Sequence, residues 1–316
     1  MSAEQILQSG DLDKALEELQ DEIRDDPGNA THRVFLFQLL TVLGNWERAA
    51  AQLKVAGELA PENAMLEKAY REVLKAEVIR AEVFQGKRSP TIFGEPDRWL
   101  ALLMEALKLD AQGNYAESQR LTAEAFEDAP MTSGSLQLAA RVSGTEADGA
   151  EAADEEPLSD PIEFSWIADV DTRLGPVFEA VVNGRYFWVP AHRVKEITIE
   201  PPSALRDAVW LPATFQWSNG GEAVGMIPTR YPGTESSDDA QLRLSGRSEM
   251  VEVAEGVLHG LGQRLFATDE EEYALMDIRK ISLNVERADV TSLFDADAAA
   301  DETAGGDGGA DEDSDA

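Results

Sequence analysis

The chain has 316 residues, of which 61 are acidic and 27 are basic, so its formal net charge at neutral pH is −34. This charge argues against a surface for nucleic acid or anionic membranes, because phosphate contacts need clustered lysine and arginine. The sequence contains no cysteine, which excludes disulfides, thiolate metal sites and cysteine nucleophiles. Hydrophobic residues make up 43% of the chain, enough for one large core or two medium ones.

Two acidic segments divide the chain. Residues 143–160 hold seven acids and residues 295–316 hold nine, and neither segment contains a base. Such segments cannot bury enough apolar surface to offset chain entropy. We therefore predict a helical domain at 1–132, an acidic flexible linker at 133–160, a second folded domain at 161–290 and an acidic disordered tail at 291–316. Without a signal-peptide pattern or a bilayer-spanning apolar run, we expect a cytoplasmic protein.

The first domain contains a repeat. Three segments begin with glycine and end with proline seventeen residues later: Gly10 to Pro27, Gly44 to Pro61 and Gly113 to Pro130. A bulky apolar residue follows each glycine after two positions, and a small residue follows it after five. With a 34-residue offset between the first two copies, the pattern resembles tetratricopeptide repeats. It predicts an α-solenoid of about seven helices, in which the segment from Glu62 to Gln85 forms one longer helix.

The second domain has the pattern of short strands joined by tight turns. Val177–Val182 and Arg185–Val189 flank Asn183-Gly184, a pair that favours the positive φ angles of a two-residue hairpin. The other predicted strands are Val194–Ile199, a hairpin of Ala213–Trp217 with Glu222–Ile227, and one or two strands within Glu272–Val285. The predicted fold class is thus multidomain α + β, a TPR-like α-solenoid followed by a compact, mainly antiparallel β-rich domain.

Aromatic residues provide the candidate partner contacts. Tyr186, Phe187 and Trp188 are consecutive on one predicted strand, so they cannot all face the same core. Either the strand is buried on both sides, or one face forms an exposed aromatic patch. Tyr231 follows Arg230 in a proline- and glycine-containing loop, where a recognition role is plausible. We take Tyr186, Trp188, Arg230 and Tyr231 as candidate partner-binding residues.

Signals for an enzyme are weak. The three histidines lack metal-ligand spacing, and the sequence contains no phosphate-binding P-loop and no nucleophile elbow. Asp169 and Asp171, with Arg173 beside them, could bind a divalent cation or act as an acid–base pair in a metal-dependent hydrolase. The alternative is a turn in which the aspartates accept backbone N–H groups and pair with arginines. We favour the turn and predict no catalytic residue, no metal site and no cofactor.

A family resemblance extends over most of residues 2–285. It is carried by these segments, in chain order: Arg33-Val-Phe-Leu-Phe-Gln-Leu-Leu, Trp46-Glu-Arg-Ala, Gln52-Leu-Lys-Val-Ala, Phe93-Gly-Glu-Pro, Trp99-Leu, Trp166-Ile-Ala-Asp, Arg173-Leu-Gly-Pro, Asn183-Gly-Arg-Tyr-Phe-Trp-Val-Pro, Val209-Trp-Leu-Pro-Ala and Ile227-Pro-Thr-Arg-Tyr-Pro-Gly. Together they resemble the ImpE family, also called the TagJ or SciE-type family, an accessory component of bacterial type VI secretion.

The resemblance implies a non-enzymatic adaptor. Proteins similar to this one are associated with the contractile sheath of the secretion machine. The resemblance implies binding to the N-terminal helix of the small sheath subunit, TssB, and an influence on sheath turnover by the ClpV ATPase. A helix that lays its apolar stripe in a groove would suit a solenoid, but the resemblance does not say which domain makes the contact.

Overall fold

The structure, a computed structural model, describes residues 2–140 and 157–286. Most of the predicted linker and the whole predicted tail lie outside these residues. Within residues 2–132 seven α-helices are found, as predicted. They are α1 Ala3–Gln8, α2 Leu12–Asp25, α3 Ala30–Val42, α4 Trp46–Leu59, α5 Ala64–Phe84, α6 Arg98–Ala111 and α7 Tyr115–Asp128.

The repeat signature has the physical role that its residue types suggest. Gly10, Gly44 and Gly113 end the preceding helices with φ angles of 85°, 71° and 78°, a left-handed conformation that glycine adopts without steric cost. The small residues five positions later are buried, and two of them, Ala15 and Ala49, are 0% exposed. They lie where neighbouring helices approach each other closely.

The β-rich domain is built on one large sheet. The strands of the domain are β1 Thr91–Ile92, β2 Gly134–Leu138, β3 Ile162–Phe164, β4 Ile167–Asp169, β5 Val177–Val182, β6 Arg185–Pro190, β7 Val194–Ile199, β8 Trp210–Trp217, β9 Glu222–Pro228, β10 Ser248–Ala254, β11 Val257–Gly262, β12 Leu265–Thr268, β13 Glu272–Ala274 and β14 Ile278–Leu283. Nine of them form the large sheet in the order β1-β6-β5-β9-β8-β7-β14-β2-β3, in which only the β1–β6 pair is parallel. The β10–β11 hairpin, the small sheet β13-β12-β4 and a short helix, α8 Ala240–Arg243, complete the domain.

Two segments lie in the sheet although the sequence patterns placed them elsewhere. Residues 134–138, which the prediction assigned to the flexible linker, form β2 between β14 and β3. Leu136 of this strand is fully buried, so hydrophobic burial and ladder hydrogen bonds fix it although acidic residues follow. Thr91–Ile92, from the predicted helical domain, pairs as β1 with β6. The helical part of the chain therefore contributes to the β-rich domain.

The large sheet separates two cores. On β5, Val177 and Val181 belong to a core shared with the helices, whereas Phe178 and Ala180 belong to a second core inside the β-rich domain. This follows from the alternation of side chains along a strand. Helices and sheet thus form one packed body.

Candidate functional site

Arg80 on α5 is the centre of a buried ion cluster that joins the helices to the large sheet. Its Nε and Nη2 atoms donate to the two carboxylate oxygens of Glu179 on β5, over 2.7 and 2.9 Å. Nη1 donates to Glu77, one helical turn earlier, over 3.0 Å, and Nη2 also donates to the Arg230 carbonyl over 2.9 Å. Arg80 is 2% exposed and Glu179 is 0% exposed. Because buried charges are stable only with such partners, the cluster fixes how α5 lies on the sheet.

Glu179 also binds Tyr186, one of the four candidate partner contacts, and Tyr186 in turn binds a second, Trp188. The Tyr186 hydroxyl donates to Glu179 Oε1 over 2.5 Å and accepts a hydrogen bond from Trp188 Nε1 over 2.8 Å. Burial opposes the charged form of Glu179, but Arg80 and Arg264 outweigh it and lower the pKa of this carboxyl. Burial and the Glu179 charge raise the pKa of Tyr186 well above its ordinary value. The hydroxyl therefore remains a donor, and both aromatic side chains face the helices.

Arg230 caps a helix from the β-rich domain. Its Nη1 donates to the Val42 carbonyl over 2.8 Å and its Nη2 donates to the Thr41 carbonyl over 3.0 Å, at the end of α3. These carbonyls lie in the last turn, where intrahelical donors are missing and the helix dipole is negative. Burial lowers the pKa of Arg230 to about 10, so its guanidinium remains charged at neutral pH.

Tyr231 tethers the loop after β9. Its hydroxyl accepts the Leu265 backbone N–H over 3.0 Å, and its ring lies against Gly260, where a Cβ would be 2.5 Å from the ring. Each of the four candidate partner contacts is at most 2% exposed. In this structure they contact the protein's own helices and strands. On strand β6, Tyr186 and Trp188 are buried, whereas Phe187 on the opposite face is half-buried.

Asp169 and Asp171 form the turn that we favoured. Asp169 accepts hydrogen bonds from Arg264 Nε and Nη2 over 2.9 and 2.7 Å, and from the Asp171 backbone N–H over 2.8 Å. Asp171 accepts the Gly260 N–H over 2.9 Å and pairs with Arg173 over 2.5 Å. These donors occupy the oxygens that a cation would need. In the described ranges, no group of three or more His, Cys, Asp or Glu residues is placed to hold a metal ion.

The pKa values of the two aspartates shift in opposite directions. Burial raises the pKa of Asp169 to about 6, since the nearby Asp171 charge adds to burial and Arg264 compensates only in part. Burial also opposes a charge on Asp171, but Arg173 and the Gly260 N–H outweigh it and lower the pKa of that carboxyl. Both carboxylates are buried and hydrogen-bonded to arginine and backbone N–H groups.

An open apolar groove, which we call the α7 groove, lies where the end of α7 meets the β-rich domain. It has a volume of about 370 Å³, and its lining includes Phe126, Pro130, Met131, Trp166, Ala168 and Pro176. Gly175, with φ 55°, lets the Phe126 ring of α7 pack directly against the backbone of the β-rich domain, because a Cβ at this position would lie 2.3 Å from the ring. The sequence patterns did not single out this groove, since its lining comes from segments far apart in the chain.

Comparisons with known proteins agree with this architecture. Residues 162–282 match the model of the ImpE protein family, and residues 7–72 match a tetratricopeptide repeat model. The chain is also 42% identical over 281 residues to the type VI secretion system accessory component TagJ of Pseudomonas aeruginosa, a match that covers 89% of this chain and 90% of that protein. The chain belongs to the ImpE family.

A solved structure supports the fold of this ImpE protein. A crystal structure of a protein from Vibrio parahaemolyticus superposes with a TM-score of 0.74, over 92% of this chain and 99% of that one, at 24% identity. Among the helices that the structure describes, none combines the length and hydrophobicity that crossing a bilayer requires.

Proposed function

We propose that this ImpE protein is a non-enzymatic, cytoplasmic adaptor of type VI secretion. It binds the N-terminal helix of the small sheath subunit, TssB, and modulates sheath assembly and disassembly by the ClpV ATPase. The observation that carries the proposal is the 42% identity, over 89% of the chain, to the accessory component TagJ. Such identity along both domains favours a shared role for the whole chain.

The described polar clusters support an adaptor over an enzyme. A catalytic acid or base must lie within hydrogen-bond reach of its substrate. Asp169, Asp171 and Glu179 are 4%, 0% and 0% exposed, and each is paired with an arginine. The perturbed pKa values of these groups therefore reflect burial and pairing with arginine.

Co-purification with the sheath subunits tests the proposal. The full-length protein should bind the pair of small and large sheath subunits saturably, and deletion of the N-terminal helix of the small subunit should abolish the binding. Circular dichroism of the truncated pair provides the folding control. Absence of binding between folded, full-length proteins contradicts the adaptor proposal.

A second assay tests the link to the ATPase. Assembled sheaths are incubated with ClpV and ATP, with and without the adaptor, and disassembly is followed by light scattering. The rate should change with adaptor concentration and return to its basal value with sheaths that lack the small-subunit helix. An unchanged rate at saturating adaptor removes the ClpV part of the proposal and leaves the sheath-binding part standing.

A further inference from the structure

The α7 groove exposes apolar surface to solvent. Met131 on its rim is 80% exposed, and Trp166, between β3 and β4, is half-buried. Apolar surface rimmed by polar residues is typical of the places where folded proteins bind partners. A polar or charged ligand would find little in the lining, which is predominantly apolar. Thr132 Oγ1 already donates to the Pro130 carbonyl, and small-molecule sites usually add several convergent polar groups.

Acidic residues flank the lining on both sides. Glu127 lies at the end of α7, between the lining residues Phe126 and Ala129, and is exposed. On the other side, Asp269 accepts the Ser165 N–H over 2.7 Å, next to Trp166, and is followed by the exposed Glu270 and Glu271. A partner with basic residues beside its apolar contacts therefore complements the groove. A second copy of this chain, with its net charge of −34, would be repelled.

We propose that the α7 groove binds the apolar stripe of an amphipathic helix that carries lysine or arginine beside the stripe. Large apolar side chains one helical turn apart enter the groove, in the helix-in-groove mode of recognition. The flanking bases face Glu127 and the acidic turn that begins at Asp269. The inference rests on the proposed function, under which this helix is the N-terminal helix of the small sheath subunit.

Two methionine variants of the full-length protein test the site. Met131 and Met65 are 80% and 78% exposed, but Met65 lies in the first turn of α5, outside the groove. Met131→Glu places a charge on the apolar rim and should weaken binding of the sheath subunit pair at least tenfold in isothermal titration calorimetry. Met65→Glu should bind within twofold of the wild type. Both variants should unfold at the wild-type temperature, because neither side chain is packed.

The outcomes separate the site from the function. Wild-type affinity for Met131→Glu, while the helix-deleted subunit does not bind, overturns the groove and leaves the proposed function intact. Absence of binding by the wild type removes both proposals. If the wild type sediments as a dimer and Met131→Glu as a monomer, the occupant is a second copy and the helix assignment is wrong.

A charge variant tests the acidic flanks separately. Glu127→Lys should weaken binding of the same subunit pair about threefold or more at low salt, and the difference should shrink as added salt screens the charges. Glu62→Lys, an exposed substitution near the start of α5, is the control and should have no such effect. Equal affinities of Glu127→Lys and the wild type at low salt overturn the charge complementarity.

Discussion

The buried junction around Arg80 and the α7 groove are both places where helices meet the β-rich domain, yet their chemistry is opposite. At the junction the Arg80 and Glu179 charges are buried and paired within 3 Å. At the groove the surface is open and predominantly apolar, and Met131 extends into solvent. In this molecule the buried polar residues therefore hold the helices on the sheet, whereas an open apolar surface is available to a partner.

The largest expected effect on stability follows from replacing Arg80, the central arginine of the buried junction. Arg80→Met leaves Glu179 and Glu77 without their main partner in a buried site, and breaking a buried pair in this way costs about 3–5 kcal/mol. Urea denaturation of the full-length protein should show this decrease in the free energy of unfolding. The control is Arg120→Met on the exposed face of α7, which should change stability little. A similar, small loss in both variants would contradict the role assigned to the junction.

The pH dependence of stability tests whether burial raises the pKa of Asp169 in the aspartate turn. The pKa of Asp169 is about 6 in the folded protein and about 3.9 in an unfolded chain. Between these values the folded state binds more protons, so the stability contributed by this group falls as the pH rises from 4 to 6. The wild type should lose at most about 3 kcal/mol over this window relative to Asp169→Asn. Parallel stability curves of the two proteins from pH 4 to 7 would contradict this.

A smaller effect on stability is expected when two of the repeat glycines are replaced by alanine. Gly113→Ala introduces a left-handed alanine into open space, which should cost about 1 kcal/mol. Gly44→Ala should cost more, because its Cβ would lie 2.7 Å from the Cβ of Glu235 in the β-rich domain. Thermal unfolding of both variants measures the difference. Equal losses would show that the repeats and the β-rich domain are not in contact at Gly44.

The smallest expected effect on stability is that of added divalent cations. Because arginine and backbone donors occupy the oxygens of Asp169 and Asp171, Mg²⁺ or Ca²⁺ should leave the melting temperature unchanged. Asp171→Asn serves as the comparison and should show the same insensitivity to both cations. A cation-dependent rise in the wild type that disappears in Asp171→Asn would restore the hydrolase alternative.

Local sequence patterns predict the helix ends and turns that depend on the conformational preferences of single residues. The repeat glycines marked the ends of helices, and Asn183, with φ 50°, marks the turn between β5 and β6 as its residue type predicts. Strand β2 was missed because Gly134–Leu138 lies beside an acidic segment whose composition predicts disorder. Its pairing with β14, far along the chain, stabilises it.

The junction could not be predicted because its partners are distant in sequence. Arg80 and Glu179 are 99 residues apart, and Asp169 and Arg264 are 95 apart. A local sequence pattern does not predict which buried acid pairs with which arginine. The same is true of Tyr186 and Trp188, for which the sequence left both burial and exposure open. Trp166 lay within a family segment, but its place beside Met131 depends on the packing of α7.

Hydrogen–deuterium exchange of the full-length protein, with and without the sheath subunit pair, tests whether the α7 groove is the recognition surface. Exchange should slow in peptides covering residues 126–132 and 165–168 when the pair is bound. No such change is expected on the exposed faces of α2 and α4. Slowed exchange on those helices, with unchanged exchange at the α7 groove, would contradict the division between a structural junction and a recognition groove.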